Sequence, residues 1–248
     1  MDTPANRTEL SVPEIIQLLA RGELDVQGVM PWGSNYTLLA TVKQDGLQGL
    51  AIYKPRRGER PLWDFPRGTL CQREVAAYLL SELLGWSLVP PTVLRDGPYG
   101  IGSVQLFIDA DDEAHLISMQ REGRYGKELE RLAVFDVLAN NADRKGGHCL
   151  KGTDGRLWAI DHGICFHTDY KLRTVLWDYA GRPISPDIKA DLRALRKRMD
   201  GDEAAVAAFE QLLSQAEVRA LRRRLDRLLE SGRHPDAGAG RNIPWPPM

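Results

Sequence analysis

The spacing of apolar residues switches between a helical and a strand period along the chain, and the switches mark its elements. In residues 11–21, Ile15, Leu18 and Leu19 share one face behind Ser11 and Pro13, which predicts a short helix with Ser11 as its N-cap. A turn-rich stretch, Gly28–Ser34, leads into residues 35–43. There Tyr36, Leu38, Ala40 and Val42 alternate with Thr37, Leu39 and Thr41, a strand pattern. The Gln44–Gly46 turn and the run Leu50–Lys54 complete a predicted antiparallel hairpin, with Lys54 near the end of its second strand and Pro55 closing it.

Residues 56–72 hold Gly58, Pro61, Pro66 and Gly68 among many charges and read as a loop. From Arg73 to Trp86 the helical period returns, with Val75, Leu79 and Leu83 in register and Gly85 as the stop. Ser103–Ile108 reads as a strand, followed by an acidic loop. Residues 127–141 predict an amphipathic helix with Leu129, Leu132, Phe135 and Leu138 on one side, ending at Asn140-Asn141. From Pro186 to Ser231 leucines recur at helical spacing beside a strongly basic face. The stretch from Arg233 onward holds too much Gly and Pro for a regular element. The expected class is α+β in two lobes: a β-rich lobe over residues 1–111, a helical lobe over 112–232, and an irregular tail over 233–248.

Composition narrows the function classes. The chain has 248 residues, 43% hydrophobic and 27% charged, a globular composition that excludes disordered and fibrous classes. Lys and Arg number 33 against 34 Asp and Glu, a balance that argues against a protein held to nucleic acid by bulk charge. No apolar run approaches the roughly 18 residues of a membrane helix. The N-terminal MDTPANRTEL lacks the basic-then-apolar order of a signal peptide. Cys71, Cys149 and Cys165 form no C-x-x-C pair and suggest no disulfide framework. The expectation is a soluble, cytoplasmic protein.

Candidate chemistry concentrates in Phe135–Phe166. Asp143 follows a helix end and His148 comes five residues later. The runs Cys149–Lys151 and Leu157–Ile160 flank a Gly-Thr-Asp-Gly turn. Paired as a hairpin, they bring His148 at the entry and Asp161 at the exit to one open end, with Gly163 available for a tight backbone turn. Two carboxylates and an imidazole at one spot suit phosphoryl transfer, in which one Asp orients the attacking hydroxyl and another holds a metal bridging the phosphates. Lys54 can be the cation for those phosphates and Glu74 its partner. The Gly33-Ser34-Asn35 turn can cover them with N–H and hydroxyl groups. Gln105, Phe107 and Ile108 fall between the lobes, where backbone groups can read an adenine edge.

The strings AIYKP (Lys54), REVAAY (Glu74), NADRKGGH (Asp143, His148) and IDHG (Asp161), in that order, resemble the superfamily of phosphatidylinositol 3- and 4-kinases, HipA-type kinases and secretory-pathway kinases. With SNYT and YKPRRGERPLWDFP they are most similar to an actinobacterial phosphatidylinositol 3/4-kinase-like family, from about Gly28 to about Ile184. The resemblance implies a two-lobed kinase-like fold, ATP and a divalent ion, Mg or Mn, as cofactors, and a hydroxyl-bearing protein, lipid or metabolite as substrate. It places Lys54 on the ATP phosphates with Glu74 beside it. Asp143 becomes the catalytic Asp, Asp161 the main metal ligand and His148 the second ligand position. The chain departs from the pattern twice, with Lys145 where lipid kinases usually have His and His148 where Asn is usual. An imidazole is a poor ligand for magnesium.

Other readings attach to the same residues. A pseudokinase would bind nucleotide without turnover, and the same fold could transfer AMP instead of the γ-phosphate. His148, Cys149, His162, Cys165 and His167 form a local cluster that a zinc hydrolase could use, although no standard zinc spacing is present. The phosphate-loop pattern G-x-x-x-x-G-K-[ST] is missing. Trp63, Asp64 and Phe65 read either as a substrate or regulatory contact or as packing anchors.

Overall fold

A computed structural model describes residues 10–30, 36–111 and 116–247. Helix α1 (Val12–Arg21) begins where the sequence places it. The Glu14 carboxylate accepts hydrogen bonds from both the backbone N–H and the hydroxyl of Ser11, closing the first turn. Its buried Leu18 and Leu19 pack on an antiparallel sheet of five strands, β1 (Glu23–Val29), β2 (Leu38–Gln44), β3 (Leu47–Pro55), β4 (Thr92–Gly97) and β5 (Gly100–Leu106), in the order β1-β2-β3-β5-β4. The predicted hairpin is β2–β3. It turns at Asp45-Gly46, both at positive φ, as a two-residue hairpin turn requires. Leu38, Ala40 and Val42 face the core with Ala51 and Tyr53 of β3 and Val104 of β5.

Two strands depart from expectation. Gly28 and Val29, expected in a turn, end β1, and only Leu24 of that strand is buried. A solvated strand leaves no alternation to read. Strand β4 follows Pro90-Pro91 and buries only Thr92, so its pattern is equally faint. The expected Ser34–Asn35 cover lies outside the described residues.

Helix α2 (Leu70–Leu83) starts three residues before the point its spacing suggested, and Gly85, at positive φ, follows its end. Its buried Ala76, Ala77 and Leu80 join a second apolar core with Leu132, Phe135 and Leu138 of the later helix α4. Helix α3 (Leu116–Glu122) occupies part of the expected acidic loop, and α4 (Gly126–Ala139) ends at Asn140 in left-handed backbone. Next comes the hairpin β6 (Cys149–Lys151) and β7 (Leu157–Ala159), paired as predicted. Helices α5 (Pro186–Gly201), α6 (Glu203–Glu210) and α7 (Gln215–Ser231) complete the core through Leu192, Phe209 and Leu221.

The tail forms no regular element, yet it is tied down. The Asn242 carbonyl accepts from Thr174 N–H and from the Trp177 indole, and the Pro247 carbonyl accepts from Gly146 N–H at 2.8 Å. Among the described residues no helix is long and apolar enough to cross a membrane. The architecture is α+β, an antiparallel sheet followed by a helical body. Helix α2 joins the helical core by its apolar face, packs against β4 and β5 of the sheet, and pairs with Lys54 of β3 through Glu74.

Candidate functional site

Three elements converge on one cleft. Strand β3 ends with Lys54, α2 carries Glu74 near its start, and the chain leaving β7 delivers Asp161. Lys54 Nζ lies 2.5 Å from Glu74 Oε1 and 3.0 Å from Asp161 Oδ1. The second Glu74 oxygen accepts from His162 N–H at 2.9 Å, so α2 grips the backbone immediately after Asp161. The left-handed backbone of this turn falls on Asp161, at φ +60°, rather than on Gly163 as the sequence suggested. A short polar side chain tolerates that region better than most. Burial works against the charge on Lys54, but Asp161 and Glu74 outweigh it and hold the pKa above the ordinary lysine value. Lys54 in turn pulls Asp161 well below the usual carboxylate range, against the effect of burial.

Asp143 and His148 face the same cleft from the segment after α4. The Asp143 N–H donates to Asn141 Oδ1, and its carboxylate lies 3.2 Å from Lys145 Nζ. Burial raises the Asp143 pKa while Lys145 opposes the rise. His148 is pushed down to about 4 by burial, which outweighs the attraction of Asp161. The imidazole is therefore neutral at pH 7. Its Nδ1 faces Lys145 N–H at 3.5 Å, and Nε2 lies 3.3 Å from Asp161 Oδ2. Nε2 is therefore in contact with that carboxylate.

Behind the cleft stands a cluster that the sequence reading missed. Asp136 of α4 and Arg144 are both fully buried and pair at 3.0 Å. Arg144 Nη1 donates to the carbonyls of Ile160 and His148, and Nη2 meets His162 Nε2 at 2.6 Å. Asp136 also accepts from Asn141 Nδ2 and Thr174 Oγ1. One buried pair thus ties down the segments on both sides of Asp143 and Asp161. A signal was present: Asp136 interrupts the apolar run AVFDVLA, and a charge on a buried helix face demands a partner.

The cleft has a volume of about 590 Å³. Every described candidate lines it: Lys54, Glu74, Gln105, Phe107, Ile108, Asp143, His148 and Asp161. The Gln105 amide, however, donates to Thr92 Oγ1, and the Phe107 N–H donates to Leu50 O. The five residues of the zinc alternative do not converge. Cys149 and Cys165 are buried in the helical core, His162 meets Arg144, and His167 bonds the Asp64 carbonyl. Among the described residues no group of three or more His, Cys, Asp or Glu is gathered as a metal centre.

No family model matches the sequence. The chain is 43% identical to protein Rv2133c of Mycobacterium tuberculosis, an alignment covering 92% of this chain and 94% of that protein. It is 33% identical to phosphatidylinositol 4-kinase gamma 4 of Oryza sativa subsp. japonica over 60% of this chain, but it spans just 30% of that protein's length. Among solved structures it is similar to the Helicobacter pylori proinflammatory kinase CtkA, with a TM-score of 0.52, 13% identity, and coverage of 86% of this chain and 95% of that one. Identity at that level speaks for fold alone, and the fold is α+β and kinase-like.

Proposed function

We propose a function for a chain that belongs to the same family as protein Rv2133c of Mycobacterium tuberculosis: ATP-dependent phosphotransfer to a substrate hydroxyl, carried out in the cleft between sheet and helical body. The observation that carries this reading is the Lys54–Glu74–Asp161 arrangement at 2.5 and 3.0 Å. A cation held between a buried and a half-exposed carboxylate is preorganised for phosphate oxygens, the main source of catalysis in phosphoryl transfer.

Lys54 would meet the ATP phosphates, with Glu74 fixing its position. Ser34 and Asn35 would cover the phosphates. Phe107 N–H is committed to Leu50, so Ile108 offers the main-chain groups for the adenine edge. The Gln105 side chain, bonded to Thr92, fixes the strand end beside them. Asp143 would orient the acceptor hydroxyl and take its proton, a role that its raised pKa favours.

Asp161 and Asp143 are hard oxygen donors, and Asp161 is 46% exposed. They fit an ion such as magnesium or manganese, which one or two carboxylates share with substrate phosphates. When bound, such an ion supplies charge neutralisation on the transferring phosphate. His148 fits that set poorly, because an imidazole is a poor ligand for so hard an ion, and its Nε2 lies 3.3 Å from Asp161 Oδ2. We assign it to orienting Asp161 in place of the ligand role expected from its position.

The test uses γ-labelled ATP with magnesium or manganese and separate acceptor pools of protein, metabolite and lipid. The account expects ADP and a labelled acceptor, with the rate on the order of 100-fold lower or more in Asp143→Asn. The engagement of Asp161 by His148 favours a second reading, a nucleotide-binding pseudokinase, which predicts bound ATP and no product. AMP joined to protein would replace both with AMP transfer.

A further inference from the structure

We propose that the tail segment 242–247 is a positioning strap for Asp143: it fixes the acceptor side of the cleft and lets turnover be controlled without touching nucleotide binding. What Asp143 does there rests on the phosphotransferase reading. The hold of the strap on the backbone does not.

The segment between α4 and β6 contains one short 3-10 turn, Gly146–His148, and little other regular structure. Its N–H groups therefore need partners from elsewhere in the fold. Asp143 N–H donates to Asn141 Oδ1, and Arg144 N–H donates to Arg173 O at 3.0 Å. Gly146 is buried, and its N–H donates to the Pro247 carbonyl at 2.8 Å. This bond falls between Asp143 and His148.

The neighbouring run 173–175 is gripped along both edges. On one edge the Arg173 carbonyl and the Val175 N–H both bond the backbone of Arg144. On the other, Thr174 N–H donates to the Asn242 carbonyl at 3.1 Å, and the Trp177 indole donates to the same oxygen at 2.8 Å. Thr174 Oγ1 also donates to Asp136, which joins this run to the buried pair behind the cleft. Asp143 is thus held through Arg144 by a run that the strap backs, and beyond Arg144 by the strap itself.

The tail is anchored unevenly. Upstream, His234 is buried, its N–H donates to Arg182 O, its carbonyl accepts from Gly181 N–H, and its ring packs on Tyr179. Downstream, Pro244 is buried, but Ile243 and Trp245 are 49% and 78% exposed. Backbone carbonyls and a buried proline ring make the contact of 242–247. Segments so lightly packed open at low free energy while the body stays folded. Both attachments lie on the Asp143 side, whereas Lys54 and Glu74 are placed by β3 and α2. Release of the strap therefore acts on the acceptor side first. A displacement of about 1 Å at a reacting group can cost roughly 100-fold in rate.

The experiment compares wild type, a chain ending at Gly240, and the whole chain carrying Trp177→Phe, which keeps a ring and removes one donor to Asn242. Amide exchange read by mass spectrometry follows 143–148 and 173–175, with the β2–β3 hairpin as reference. Isothermal titration reads ATP affinity. Release of labelled phosphate from γ-labelled ATP with magnesium or manganese, water being the acceptor, reads turnover. In the shortened chain exchange should be about tenfold faster or more in both segments and unchanged in the hairpin. Its kcat should fall about tenfold or more, while Kd and KM for ATP stay within about twofold. Trp177→Phe should shift exchange and kcat the same way by a smaller factor. Unchanged exchange in both variants, or unchanged kcat in the shortened chain despite faster exchange, would overturn the proposal. So would a loss of ATP affinity parallel to kcat, or faster exchange throughout the hairpin. If wild type releases no phosphate, the phosphotransferase reading fails, and exchange alone decides whether the strap holds the segment.

Discussion

Two charge clusters hold the short segment Ile160–His162 from opposite sides, and they are built differently. On one side Arg144 and Asp136 are fully buried, and the Arg144 guanidinium is spent on the Asp136 carboxylate, two carbonyls and His162. On the other, Lys54 is 20% exposed and Asp161 46% exposed, so their remaining faces are open to a cleft. The first cluster is closed and holds the backbone. The second is open, and its unused faces are what a ligand can meet. Charge in the interior is expensive, so a protein places it where geometry must be fixed or where chemistry occurs. Here both uses meet on the same three residues.

The comparison can be broken most severely at Arg144. Arg144→Met leaves Asp136 as a buried carboxylate without its main partner and should cost about 3–5 kcal/mol of folding stability, read by urea unfolding. A loss below about 1 kcal/mol would mean the closed cluster does not hold the fold. Lys54→Met should cost less stability than this, because Asp161 is half exposed and Glu74, though buried, keeps the His162 N–H, while the ATP response is removed.

A pH series sharpens the same contrast. The His148 pKa falls from 6.5 to about 4 on folding, so the unfolded chain takes up its proton first as pH drops. The stability tied to neutral His148 is full above pH 6.5 and is lost as pH falls from there toward 4. Buried His162, also held well below its ordinary value, adds to the same window. Asp161, whose pKa is lowered, contributes stability above its ordinary 3.8 that is lost on further acidification. His148→Asn should therefore flatten the stability profile between pH 6.5 and 4, and Asp161→Asn should flatten it below that. Unchanged slopes in both variants would contradict these assignments. The smallest effect is remote from either cluster: Ser11→Ala removes one donor to Glu14 and should cost about 1 kcal/mol, lowering Tm without touching the cleft.

How much of this was legible in the sequence depends on burial. Helices α1, α2 and α4, the Asp45-Gly46 hairpin and the β6–β7 hairpin each have a strong local period or a specific turn residue. Local reading therefore found them, apart from a few residues at their ends. Strands β1 and β4 bury one residue each, so hydrophobicity carried almost no trace of them. The short α3 left a similarly faint pattern. Lys54, Glu74, Asp143, His148 and Asp161 were found because their order matched a known chemistry and the hairpin brought two of them together. The Asp136–Arg144 pair depends on contacts across the fold. Its trace, an acid within an apolar helix, states that a partner exists without naming it. The neutral state of His148 was out of reach for a similar reason, since it follows from burial that only the fold creates.

The most direct test of the central claim is isothermal titration of ATP into wild type, Lys54→Met and Glu74→Gln, with magnesium, with manganese and with chelator, after circular dichroism has matched the folds. The account predicts metal-dependent ATP binding by wild type, weakened at least about tenfold in Lys54→Met and to a smaller degree in Glu74→Gln. Equal ATP affinity in all three proteins, or wild-type binding indifferent to metal, would contradict the claim that the Lys54–Glu74–Asp161 cleft is where the nucleotide phosphates sit.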